Sequence, residues 1–115
     1  MKPFITIYDQ GMKMIRFDHI FILESSKEYV NIVCFYLNRK RLFSQLKTIK
    51  SFQSLLPENF IRISRFQIVN VSKIELIENN RIFFENGVEM TIKGRSGLRY
   101  VYRHLSEGTQ KINIR

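Results

Sequence analysis

The chain of 115 residues carries 19 lysines and arginines against 10 acidic residues, a net charge of +9, and has the size of one domain rather than two. That balance points to a polyanionic partner, nucleic acid first and an anionic membrane second, while no apolar run approaches the roughly 18 to 20 residues that would span a bilayer. Asp9 and Gln10 interrupt any signal-peptide core in "MKPFITIYDQGMK", and the single cysteine, Cys34, leaves no intramolecular disulfide, so a reducing, cytoplasmic compartment is expected.

In chain order, "MKMIRF" alternates partly and "HIFILES" is a mostly apolar run closed by Glu24. "EYVNIVCFYL" is rich in β-branched and aromatic residues that suit a pleated surface. Asn38 then turns the chain into "RKRLF", a hairpin with a basic tip. From Ser44 the period changes: Leu46, Ile49, Phe52, Leu55 and Leu56 share one helical face, with Ser44 as N-cap and Pro57 as the stop.

"FIRISRFQIVNVSKIELI" follows, a strand-like stretch whose apolar residues are interrupted by Arg62, Arg65, Gln67, Asn70 and Lys73. In "RIFFENGVEMTI" the Asn86-Gly87 pair marks a hairpin, because both positions tolerate positive φ. A second helix is expected from a Ser96 cap, with Leu98, Val101, Tyr102 and Leu105 on one face and Gly108 as its end. The expectation is a mainly β (α+β) domain over residues 1–108, with one central amphipathic helix, a short C-terminal helix and a flexible basic tail at 109–115.

The charge is concentrated. No acid stands between Glu28 and Glu58, where Arg39, Lys40, Arg41, Lys47 and Lys50 lie, nor between Glu89 and Glu107, where Lys93, Arg95, Arg99 and Arg103 lie. Arg62, Arg65 and Lys73 form a third such block before Glu75. A charge run is ordinarily a solvated face; three acid-free basic blocks in different elements favour a patch of the kind phosphate contacts require.

Catalytic chemistry is sparse. His19 and His104 lie in different elements without a metal-ligand spacing, and Cys34 sits in an apolar strand, as a core cysteine does. "GRSG" at 94–97 makes only a weak anion-binding turn. Neither metal nor cofactor is expected, and the chain reads as a non-enzyme. One rival reading is a small basic ribonuclease toxin using the Lys93 to His104 cluster, though such toxins usually begin with paired helices. The other is an anionic-surface interaction module, which lacks an amphipathic helix with exposed aromatics on one side.

In "FIRISRFQIVNVSKIELI" the residues Phe60, Arg62, Ser64-Arg65, Ile68-Val69-Asn70 and Lys73-Ile74 resemble the signature of LytTR DNA-binding domains. "DHIFILESSKEYV" and "LKTIKSFQSLLPENF" are similar to that family's strand with its tyrosine-bearing turn and to its central helix. The resemblance runs from about Met14 to Leu105. It implies elongated antiparallel β-sheets, loops inserted into successive grooves of double-stranded DNA, and transcription regulation in a bacterial two-component system. It also implies promoter repeats bound by a homodimer, no membrane, and an upstream signalling domain or partner protein such as a receiver.

Under that resemblance Phe60, Ile61, Ile63, Ile68, Val69 and Val71 hold the core, and Asn70 satisfies backbone groups. Ser64 and Arg65 project toward DNA, and Arg62 touches phosphate or supports the turn. The turn after Glu24 offers Ser26, Lys27 and Tyr29. The third loop reads "KGRS" where the family usually has Ser-Arg, so Lys93 or Arg95 supplies that contact. Arginine suits guanine O6 and N7 in the major groove, so Arg65 and Arg95 are expected to set specificity, and Lys40, Lys47 and Lys50 to touch phosphate.

Overall fold

A computed structural model describes residues 3–93 and 99–103, and the backbone of 113–114. Its centre is an antiparallel sheet in the order β5-β4-β3-β7-β6. These strands are β3 (Ile20–Ser26), β4 (Tyr29–Tyr36), β5 (Arg39–Gln45), β6 (Phe60–Ser64) and β7 (Gln67–Asn70). Both faces are covered. Over one lie the hairpin β1 (Phe4–Tyr8) and β2 (Met12–Arg16) and the helix α1 (Ile49–Gln53); over the other lie β8 (Ile74–Glu78), β9 (Arg81–Phe84) and β10 (Glu89–Thr91).

That double covering explains the apolar run of β3: Ile20 and Leu23 face the first core, Phe21 and Ile22 the second. The two adjacent residues share a side because the register slips between Ile20 and Ile22, a β-bulge. Phe60, Ile63, Ile68, Val69 and Val71 are buried as expected, and Ile61 packs half-buried against the second core. Cys34 is fully buried, and burial pushes its thiol up to about 11, against the opposing pull of the Arg41 charge. It is a core residue with almost no thiolate at neutral pH.

The Asn86-Gly87 hairpin forms through a 3-10 turn at Glu85–Gly87 with φ of 61° and 74° at Asn86 and Gly87. Residues 99–103 are helical, with Val101 buried in the second core; Ser96, Leu98, Leu105 and Gly108 lie outside the described residues. So does most of the tail at 109–115, whose Asn113–Ile114 pairs in parallel with Leu76 and Ile77 as β11. The long axis measures 41 Å against 28 and 26 Å.

Two differences from the sequence reading stand out. The hairpin β1–β2 extends the sheet content to the N-terminus, where "FITIY" buries Ile5 and Ile7. The central helix starts later than its periodicity suggests: Thr48, not Ser44, is the N-cap, accepting the Ser51 amide at 3.2 Å, and Ser54 ends the helix before Pro57. Ser44 instead belongs to β5, opposite Asn31, and Leu46 and Leu55 are exposed. The cause is long-range pairing. The Gln45 side chain accepts from the Tyr8 amide at 3.3 Å and donates to the Tyr8 carbonyl at 3.0 Å, so β5 continues where local periodicity favours helix.

Candidate nucleic-acid interface

Antiparallel pairing brings two turns to the same end of the central sheet. Glu24 faces Gln67 across β3 and β7, so the β3–β4 turn at 26–29 and the β6–β7 turn at 64–67 are neighbours. The Ser25 amide donates to the Phe66 carbonyl at 2.7 Å and stitches them together. The exit of β10 arrives beside them, because Gln67 donates to the Thr91 carbonyl at 3.0 Å and accepts from the Lys93 amide at 3.1 Å.

In the first turn Lys27 is exposed and held at φ 56°, a left-handed conformation that is uncommon away from glycine. Ser26 is exposed and Tyr29 is 48% exposed at the start of β4. In the second turn Arg65 is exposed, its guanidinium 5.6 Å from the Phe66 ring centroid. Ser64 is largely engaged inside the turn, its hydroxyl accepting from the Phe66 amide at 3.2 Å.

Arg62 is committed to the turn as well. Its Nε donates to the Ser64 carbonyl at 3.2 Å and Nη2 to the Arg65 carbonyl at 3.1 Å, while Nη1 reaches Gln53 of α1 at 3.2 Å. Lys93 is exposed, with its ammonium 3.5 Å from Glu24. Arg95 lies outside the described residues. Among the described residues no acidic side chain pairs with Lys27 or Arg65, so both charges face solvent unspent.

The other basic residues sit elsewhere. The β4–β5 turn, with Leu37 and Asn38 at φ 53° and 63°, carries Arg39, Lys40 and Arg41 at the opposite end of the sheet. At ~3.3 Å per residue along β4, that tip is about 23 Å from the Lys27 turn. Lys47 lines a cleft of about 450 Å³ with Phe4, Phe17 and Leu56, its ammonium 5.5 Å from the Phe52 ring. Lys50 is exposed on α1. The basic blocks therefore divide between the two ends and one flank.

The polar residues inside the signature stretch have separate tasks. Asn70, fully buried, donates to the carbonyls of Phe17 at 3.3 Å and Ile20 at 2.9 Å, and accepts from Asn59, the Ser72 amide and the Ser72 hydroxyl. That is the backbone-satisfying role expected of it. Lys73 pairs with Glu85 at 3.5 Å. Two features escaped the sequence reading: Phe66, an aromatic 45% exposed at the tip of the second turn, and the burial of Gln67, fully enclosed between the two turns and the β10 exit.

Among the described residues no three histidine, cysteine or acidic side chains cluster as metal ligands, and no helix is long and apolar enough to cross a membrane. His19 stands exposed beside Asp18, and His104 lies outside the described residues.

A LytTr DNA-binding domain family profile matches residues 10–106. Among solved structures, the chain is similar to the LytTr DNA-binding domain of a protein from Bacillus cereus described as a methyl-accepting/DNA response regulator. The two share 22% identity and superpose with a TM-score of 0.74, covering 94% of this chain and 100% of the other. Among curated proteins no sequence matches.

Proposed function

The chain belongs to the LytTR family of DNA-binding domains, and on that premise we propose that it regulates transcription by reading double-stranded DNA through the three loops at one end of its central sheet. The observation that carries this reading is their convergence: the turns at 26–29 and 64–67 and the β10 exit at 93 meet with Lys27 and Arg65 unpaired and exposed. Arg65 reads a base edge in the major groove, where its planar fork matches guanine O6 and N7. Phe66 beside it contacts a thymine methyl group or sugar. Lys27 and Tyr29 enter an adjacent groove, and Arg95 or Lys93 completes the contact from the third loop.

Lys40 at the far tip of the sheet, and Lys47 and Lys50 in the segment that follows β5, add sequence-independent attraction to phosphate. Arg62 supports the reading turn, since three of its five N–H donors are engaged by turn carbonyls and Gln53. The domain acts as the output of an upstream signalling domain or partner, and two copies occupy repeated promoter sites about one helical turn apart, the spacing at which equivalent surfaces face the same side of the duplex.

The test is selection from a randomised duplex pool at low and physiological salt. Enrichment of a motif that survives the higher salt, repeated every 10 to 11 base pairs or so, is the expected result. Binding without enrichment that vanishes as salt rises would reduce the interaction to counterion release.

A further inference from the structure

Gln67 occupies a position where the fold itself asks for a hydrocarbon. Its neighbours in β7, Ile68 and Val69, are apolar and buried, and Gln67 is fully buried with them. A glutamine amide has two donor hydrogens and one oxygen with two lone pairs, and here every one is used. Nε2 donates to Glu24 Oε2 at 2.8 Å and to the Thr91 carbonyl at 3.0 Å, while Oε1 accepts from the Lys93 amide at 3.1 Å and the Ser64 hydroxyl at 3.4 Å. Those partners stand on the stem of the first loop, in the second loop and at the start of the third.

We infer that Gln67 is the positioning residue that locks the turns at 26–29 and 64–67 and the β10 exit at Thr91–Lys93 into one surface, so that sequence discrimination depends on it although it touches no DNA. This rests on the DNA-reading function proposed above. The physical argument is pre-organisation. Loops that fluctuate independently must be ordered when they bind, and that cost falls on the complex requiring all three at once. Non-specific attraction to phosphate needs no such register and is insensitive to it. Glu24 extends the lock, because its carboxylate also holds the Lys93 ammonium at 3.5 Å.

A matched control exists in the same molecule. Gln45 is also buried and makes three hydrogen bonds, to the Tyr8 amide, the Tyr8 carbonyl and the Ser44 carbonyl, but it ties β5 to β1 and bonds none of the three loops. The experiment compares Gln67→Met with Gln45→Met in the full chain, well below both melting temperatures. Affinity is measured for the duplex enriched from the randomised pool and for a shuffled duplex of equal length. In Gln67→Met the ratio of the two affinities is expected to fall about tenfold or more, with shuffled-duplex affinity and salt slope unchanged. In Gln45→Met the ratio is expected to hold.

A ratio retained in Gln67→Met, or lost equally in Gln45→Met, overturns the inference. Should Gln67→Met not fold, Glu24→Ala decides: about a threefold fall in the ratio supports the lock, and an unchanged ratio overturns it. A wild-type chain with no duplex preference would be recognised before any variant was made. It would overturn the DNA-reading function and the inference together.

Discussion

β7 is four residues long and carries a fully buried amide at each end, Gln67 and Asn70. Asn70 bonds to the chain reversals around Phe17, Ile20 and Ser72 and to Asn59, groups none of which belongs to the turns at 26–29 and 64–67. Gln67 bonds to the stems and turns at the end of the sheet that carries Lys27 and Arg65. Both obey the rule that a buried polar group must be paired. The partners separate them: one amide serves the fold and the other serves the placement of the interface.

The largest effect is expected where that contrast is broken on the fold side. Asn70→Ala leaves the Phe17 and Ile20 carbonyls, Asn59 and Ser72 without the partner they share. It should cost about 3 kcal/mol in urea unfolding, with an unchanged denaturant slope. At temperatures where the variant is still folded, its duplex preference should match the wild type. A loss of preference in folded Asn70→Ala would erase the distinction between the two ends.

Next in size is Arg65→Ala. Arg65 is exposed and its guanidinium lies over the Phe66 ring, so stability should change little. Affinity for the enriched duplex should fall by about 1–3 kcal/mol, with preference flattened at one base position. Equal loss on every duplex would make Arg65 a phosphate contact instead.

Much of this contrast was legible in the sequence, and the reasons are local. β-branched and aromatic runs mark β3 and β4, and the Asn86-Gly87 pair marks its turn. Asn70 in an apolar strand announces a satisfied amide, whereas the Ser64-Arg65 bend came from the family resemblance, and the structure places it between β6 and β7, which pair back on each other. Gln67 was hidden because its partners come from positions 24, 64, 91 and 93, which only tertiary structure brings together. The helix start failed for the same reason: Gln45 is recruited by Tyr8, far away in sequence, and holds β5 extended.

Lys27→Gly sharpens the comparison by separating stability from binding within one residue. At φ 56° a lysine bears a steric cost that glycine does not. The substitution should raise folding stability by up to about 1 kcal/mol, while weakening duplex binding through the lost charge. Urea unfolding and duplex titration then move in opposite directions. If both fell, the left-handed backbone would owe its stability to contacts of the lysine side chain.

The smallest effect is expected at the far tip of the sheet. Like Lys27, Lys40 is an exposed lysine whose turn holds residues at positive φ. A tip about 23 Å from the reading loops, outside the hydrogen bonds that Gln67 makes to them, does not share their register. Lys40→Ala should lower affinity for the enriched and shuffled duplexes equally, by less than about 0.5 kcal/mol, and reduce the salt slope by no more than about one phosphate's worth. A loss confined to the enriched duplex would mean that the far tip reads bases, and that positive charge rather than the buried lock selects which end of the sheet recognises sequence.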